Sequence, residues 1–411
     1  MERVETDVLV AGGGVAGLAA AAAFAGAGFR VICVDPVPPV TSGDAAGADL
    51  RSTAFLMPAL ALLDRAGLKQ RLAPHAAPLR VMRIVDAGGA EGVVRTTADF
   101  AAEEAGVEAF GWNLPNWLLR REMVARLAEI PSAELRPGTR VDRVTPRRDG
   151  AIVALSDGCQ LRAGLVVAAD GRDSTVRRSL GIRARRWGFG QKALVFTVAH
   201  ERPHDGVSTE VHRSGGPFTL VPLPDRDGVP HSAVVWMDRG PQAAALAALP
   251  DAALAEAATN RSCGILGALR PVGGRALWPI VAQLAERLDG PRAALVAEAA
   301  HVVPPIGAQG LNMSLSDIAA LLDRVAAAGD TGADIGASGL LAAYHRSRYG
   351  EILARVAGID ALNRAAMAGA QPLRDVRALG LRALHGFGPL RRQAMRLGLG
   401  LAPTARPDAG A

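Results

Sequence analysis

The 411-residue sequence predicts an α/β protein: a Rossmann-like nucleotide-binding domain, an inserted β-sheet lobe and a C-terminal helical segment. Three observations predict it. A buried strand, a glycine cluster, an alanine-rich helix and a second strand follow one another within the first 35 residues. Two later apolar strands, at residues 165–169 and 294–296, each run into a loop that mixes glycine with charge. Between them, over residues 185–279, stretches such as 193–199, 218–223 and 232–237 alternate between turns like Ser214-Gly215-Gly216-Pro217, which is a strand pattern.

The N-terminal unit carries specific chemistry. Residues 6–11 form a short buried strand, and Gly12-Gly13-Gly14-Val15-Ala16-Gly17 satisfies G-x-G-x-x-G. Gly12 permits the tight turn, Gly14 admits a pyrophosphate close to backbone, and Gly17 lets the helix pack against the strand. Val15 and Ala16 open that helix, so its positive end faces the phosphates. Asp35 closes the second strand about 20 residues on, where a carboxylate binds ribose hydroxyls. The unit selects a dinucleotide and leaves NAD and FAD equally open.

Composition excludes several classes. At this length two or three lobes are expected, and 49% apolar residues can fill a large core. The net charge of +6 is carried by arginine, with Lys69 and Lys192 the only lysines. No basic stripe is interleaved with aromatics and no zinc-finger spacing occurs, so nucleic acid is not an expected partner. The positive balance suits an anionic cofactor or membrane surface. Cys33, Cys159 and Cys263 are scattered and odd in number, which fits a reducing, cytoplasmic setting without a dithiol site. The apolar stretch at 15–29 follows an acidic start and is short of the roughly 20 residues of a membrane span, so neither a signal peptide nor a spanning helix is expected. The histidines lack metal-ligand spacing, and no metal is expected.

Two more motifs decide the nucleotide. The strand at 165–169 runs into Asp170-Gly171-Arg172-Asp173-Ser174-Thr175-Val176-Arg177. The other runs through Ala297-Glu298-Ala299-Ala300-His301 into Pro304-Pro305-Ile306-Gly307-Ala308-Gln309-Gly310-Leu311-Asn312, with a helix after it. With these the chain resembles the single-component FAD-dependent aromatic hydroxylases, the p-hydroxybenzoate hydroxylase-like superfamily. The resemblance implies FAD as cofactor, with a D-G motif near the pyrophosphate and the nicotinamide region, matched by Asp170 and Gly171. It implies a loop along the isoalloxazine, matched by residues 304–312, so that Pro305, Gly307, Gln309, Gly310, Leu311 and Asn312 contact the cofactor. Pro305, Gly310, Leu311 and Asn312 then position the flavin, and the helix-opening N–H groups near 310–312 can stabilise charge on its N1/O2 edge. Arg51, in Asp49-Leu50-Arg51, matches the arginine that reaches the FAD phosphates, and Arg120 matches a helix-start arginine at the FAD. One departure stands out: the family's G-D pair at the ribityl chain is Ala297-Glu298 here. Glu298 keeps the carboxylate, Ala297 adds a methyl in a crowded place, and the loop is expected to adjust.

The likeness is nearest to the ubiquinone-biosynthesis hydroxylases. It rests on Asp49-Leu50-Arg51-Ser52-Thr53-Ala54-Phe55, on Asn113-Leu114-Pro115-Asn116-Trp117-Leu118-Leu119-Arg120-Arg121, on the 307–312 loop and on Ile359-Asp360-Ala361-Leu362-Asn363-Arg364. It implies hydroxylation of a polyprenylated phenol through a flavin C4a-hydroperoxide, with O2 and with NAD(P)H as external reductant, beside other biosynthetic enzymes. The alternatives are a hydroxylase of a small aromatic acid and a non-catalytic FAD-fold subunit. The expected division is an FAD domain of 1–74, 105–184 and 280–345, a substrate lobe of 75–104 and 185–279, C-terminal helices over 346–401 and a disordered tail at 402–411. Phe218, Leu220, Pro222, Trp236 and Trp187 are expected near the substrate. No catalytic base emerges: the only tyrosines, Tyr344 and Tyr349, lie in the C-terminal helix, His212 reads as a lobe-surface histidine and His301 as structural. Residues 376–401 interleave leucines with arginines, a pattern that suits a peripheral dock on the inner membrane.

Overall fold

Continuous apolar runs and alternating ones go to different sheets. In the computed structural model, which describes residues 4–88, 93–213 and 215–367 together with Gly388, Arg391 and Met395, the runs form the first sheet. Its path runs Asp289–Gly290, Ala293–Leu295, Gln160–Ala168, Val4–Ala11, Val31–Asp35, Ala133–Pro137. The central pairings are parallel. Parallel strands are covered on both faces, which is why Val8–Ala11, Val31–Val34 and Leu165–Ala168 are buried throughout. The Val15–Gly26 helix is apolar on every side and buried along its length, as a helix inside a core must be. Neighbouring strands of this sheet come from residues 4, 160 and 293, so the chain leaves the domain and returns to it.

The second sheet is almost wholly antiparallel. Its order is His301–Val302, Leu269–Ala285, Ala184–His200, Val229–Arg239, Gly216–Arg226, Val207–Arg213, Val81–Gly88, Val93–Ala101. Side chains alternate between its faces. One face packs Leu194, Phe196, Val211, Phe218, Leu220 and Trp236 against Leu254 and Ala258 of the Asp251–Arg261 helix. The other gathers Ala193, Val195, Met237 and Ile280, with Val235 and Phe189, against Ile306. The edge strand His301–Val302 pairs with Gln283 and Leu284, so the loop that follows it is tied to this sheet. A third, three-stranded sheet joins Ser52–Leu56, Gly111–Pro115 and Ala77–Leu79.

Two long helices follow, Gln309–Asp330 and Ser338–Met367, and they pack on each other. Among the described residues no helix is long and apolar enough to cross a membrane. The interleaved segment 376–401 lies outside the described residues except for Gly388, Arg391 and Met395, and the tail 402–411 lies outside them entirely. Arg391 pairs with Glu104 and sits 5.3 Å over the Phe100 ring, while Met395 is buried beside Leu56, Phe100 and Phe110.

Candidate functional site

The glycine loop is shaped by collisions that a side chain would cause. A Cβ on Gly12, whose φ is +107°, would sit 2.2 Å from the Ala169 carbonyl oxygen, and one on Gly17 would sit 1.8 Å from that of Gly12. Gly14 opens onto free space, so a ligand can lie against its backbone. Val15 and Ala16 begin the helix, whose first-turn N–H groups have no partner within it. Asp35 stands at the rim of this loop. Its carboxylate accepts the Gly13 N–H at 2.5 Å and the Val37 N–H at 2.8 Å.

Charge also collects around Asp49. Buried Asp49 accepts two hydrogen bonds from the Arg51 guanidinium, at 2.8 and 2.7 Å, one from the Arg51 N–H at 3.2 Å and one from Asn116 at 3.1 Å. Arg120 lies 3.7 Å from the same carboxylate. Burial alone would push the Asp49 carboxyl up, but Arg51, Asn116 and Arg120 outweigh it and hold the group below the usual carboxylate range. Arg51 also stacks 4.4 Å over the Trp278 ring. Burial works against its charge, and Asp49 together with Glu298 more than restores it. Arg120 Nε is buried without a hydrogen-bond partner among the described residues.

Asp170 accepts the N–H groups of Thr175 and Val176 on one oxygen, at 2.7 and 3.0 Å, while its other oxygen is buried without a partner among the described residues. Gly171 follows with φ +82° and open space beside it. The neighbouring Arg172 grips Glu298 with two bonds of 3.2 Å, joining the two loops. Ala297 has φ +53°, a left-handed backbone that glycine adopts freely and alanine holds at a cost of roughly 1 kcal/mol. The loop has kept a glycine-type turn around an alanine.

The non-helical part of the 304–312 segment ends in two left-handed residues, Gly307 at +61° and Ala308 at +55°, and the Gln309–Asp330 helix starts there. The first-turn N–H groups, at Gln309, Gly310 and Leu311, have no acceptor within the helix. The Asn312 side chain is a clamp: it accepts the Leu56 N–H at 2.8 Å and donates to the carbonyls of Ala54 and Ala308 at 2.7 and 2.6 Å. The loop is thereby fixed to the strand that continues from Arg51. Pro305 is exposed, and Ile306 meets Val195, Met237 and Ile280 of the second sheet.

That contact corrects an expectation about the lobe. Phe218, Leu220 and Trp236 lie on the opposite face of the sheet, packed on the Asp251–Arg261 helix. Trp187 packs at the main core and donates to Asp360 at 2.8 Å, and Pro222 accepts an Asn113 hydrogen bond through its carbonyl. The residues turned toward the loop are Val195, Met237 and Ile280, which sequence reading passed over. Period-two alternation could have found a face, but 193–196 is apolar at both parities and gives no sign of which face meets the loop. His212 pairs with Glu210 at 2.7 Å, and buried His301 pairs with Asp317 at 2.6 Å. Tyr344 donates to the Leu295 carbonyl at 2.9 Å, and burial pushes its hydroxyl well up, which removes it as a base.

A glycine loop open at Gly14, arginines gathered around buried Asp49 and a sheet packed on a helix-opening loop suit a nucleotide-dependent redox enzyme. Residues 5–355 match the family described as FAD binding domain. Ubiquinone hydroxylase UbiL of Rhodospirillum rubrum is 38% identical over 96% of this chain and 89% of its own. The 3-demethoxyubiquinol 3-hydroxylase of Escherichia coli K12 is 27% identical over 98% of this chain and 100% of its own. In fold, p-nitrophenol 4-monooxygenase PnpA from Pseudomonas putida superimposes with a TM-score of 0.78 at 20% identity, over 98% of this chain and 100% of that one. The chain belongs to the FAD-binding-domain family and, within it, to the ubiquinone hydroxylases. It is an FAD-dependent monooxygenase.

Proposed function

We propose that this enzyme hydroxylates the aromatic ring of a polyprenylated phenol on the route to ubiquinone. The observation that carries the reading is the apolar cluster where the loop meets the second sheet: Val195, Val235, Met237, Ile280 and Ile306. A prenylated ring suits an apolar surface of this kind better than a small aromatic acid, whose carboxylate calls for a polar partner. The names of the relatives, a ubiquinone hydroxylase and a demethoxyubiquinol hydroxylase, support the same class.

The residues fit FAD. Gly14 leaves room for a pyrophosphate, and Asp170 and Arg120 each hold a buried polar atom without a partner among the described residues. In this reading Gly12, Gly14, Val15, Ala16 and Gly17 cradle the pyrophosphate and Asp35 takes the adenosine ribose. Arg51 and Arg120 face phosphate, and Asp170, Gly171 and Glu298 meet the ribityl region. Pro305, Gly307, Gln309, Gly310, Leu311 and Asn312 border the isoalloxazine, with the first-turn N–H groups at its N1/O2 edge. Bound FAD supplies oxygen activation: with NAD(P)H as electron donor, one atom of O2 goes to the ring and the other leaves as water. The chain's own contribution is placement and dryness, since Ile306 and the lobe residues keep water from the reacting edge. Such a substrate resides in the bilayer, so peripheral docking through residues 376–401 belongs to this reading. Arg391 and Met395 are committed to the protein, which leaves docking to the rest of that segment. Quinone profiling of a strain lacking the protein tests the function. A polyprenylated phenol short of one hydroxyl should accumulate, and an unchanged quinone profile would reject the reading.

A further inference from the structure

We propose that Arg355 is a positioning residue for the flavin: acting through Gln309, it fixes the turn at Gly307 and Ala308 and so sets how FAD is held. The proposal rests on the reading of residues 304–312 as the flavin loop.

The observation is an unbroken chain of side chains that leaves the loop segment and comes back to it. Buried His301 meets Asp317 at 2.6 Å, and Arg348 donates to the other oxygen of Asp317 at 2.9 Å. Arg348 also bonds Glu351, one turn along the Ser338–Met367 helix. Arg355 donates through Nε to Glu351 at 2.8 Å and through Nη1 to Gln309 Oε1 at 2.7 Å. Gln309 Nε2 then donates to the Gly307 carbonyl at 2.9 Å. Two arginines face two carboxylates, so the chain carries no excess charge to attract a ligand of its own. What it does is mechanical.

Arginine has donors only. Its Nη1 therefore dictates which end of the Gln309 amide faces it, and the NH2 end is turned onto Gly307. That bond holds the consecutive left-handed residues Gly307 and Ala308, at +61° and +55°. Alanine resists this backbone by roughly 1 kcal/mol or more, so the turn is held by its surroundings. A cavity of about 170 Å³ is lined by Gln309, Asn312, Arg348, Glu351 and Arg355, so the Gln309 side chain has room to move once the bond is lost. Relaxation would swing the first-turn N–H groups of the Gln309–Asp330 helix, the groups read as facing the N1/O2 edge. Lysine cannot replace the fork, because one ammonium cannot serve two acceptors from separate, rigidly spaced nitrogens.

The test uses the full-length holoenzyme and the variants R355M, R355K, Q309M and R355M/Q309M. The readouts are FAD affinity, the visible circular dichroism of bound flavin and the melting temperature of the apoprotein. R355M should raise the FAD dissociation constant about tenfold, the weight of one charge-assisted hydrogen bond. It should also change the flavin circular dichroism. The double variant should be no worse than R355M, because both changes cut one chain. R355K keeps a partner for Glu351 and should loosen FAD while the apoprotein melts as before, which preserves the test if R355M does not fold. Additive effects of R355M and Q309M, or flavin circular dichroism unchanged in both R355M and R355K, would overturn the proposal while leaving the flavin reading intact. Wild-type protein that takes up no FAD would overturn the flavin reading, and this proposal with it.

Discussion

The nucleotide domain and the inserted lobe are built from different materials. The nucleotide side is backbone and paired charge: glycines pressed against carbonyls, helix N-termini, and carboxylates each gripped by an arginine or by main-chain N–H groups. The lobe side is apolar side chains on a sheet, with Ile306 reaching across from the loop. Backbone placed by steric necessity offers one ligand geometry and tolerates little change. An apolar face offers area, so it can take a long flexible chain and can be retuned residue by residue. Cofactor retention and substrate choice are therefore expected to separate under mutation.

The largest expected effect breaks the nucleotide side. Gly17→Val puts its Cβ in the place of the Gly12 carbonyl, a contact of 1.8 Å, so the helix must leave the strand. Denaturation should show a loss of about 3 kcal/mol or more, with no FAD retained. Holoprotein of normal stability would mean that the close approach is not what holds this loop.

Next, Asp35→Ala removes the carboxylate that meets Gly13 and Val37 and is read as the ribose ligand. FAD affinity measured by fluorescence should fall by about 1.5–3 kcal/mol, the scale of a charge-assisted hydrogen bond. Turnover at saturating FAD should fall far less.

The lobe responds in the opposite sense. Met237→Gln puts a polar amide into the apolar face at Ile306 and should lower kcat/KM for a polyprenylated phenol by about 1–3 kcal/mol. FAD affinity should stay near the wild-type value. A loss of FAD as large as that of Asp35→Ala would show that the two sides are not separable.

The smallest effect sharpens the comparison. Ala297→Gly relieves a left-handed alanine and should raise stability by roughly 0.5–1 kcal/mol, less the entropy glycine adds to the unfolded chain. A fall in melting temperature would show that the Ala297 methyl contributes packing that outweighs the strain.

The same difference explains what could be read from the sequence. The nucleotide side was legible because close backbone approach forces glycine at fixed spacing, a signal confined to residues 12–17, 170–171 and 304–312. The lobe was legible only as a sheet. Phe218 and Trp236 looked like ring neighbours, yet they stack edge to face at 5.3 Å on the covered side, because both faces of this sheet are apolar and parity alone does not orient it. Pairings between distant positions left no local trace. The parallel contact of Val207–Arg213 with Val81–Gly88, the Arg172–Glu298 grip and the chain from Asp317 to Gln309 each join residues that only the folded topology brings together. Ala297-Glu298 was visible as a departure, while the arginine that holds its carboxylate was not.

The most direct test is a single incubation: purified holoenzyme, NAD(P)H, a polyprenylated phenol in detergent and isotopically labelled O2, with the product analysed by mass spectrometry. The expected product is heavier by one oxygen atom, with that atom drawn from O2, and no such product forms when FAD is stripped. NAD(P)H consumed with only hydrogen peroxide formed, or oxygen drawn from water, would contradict it.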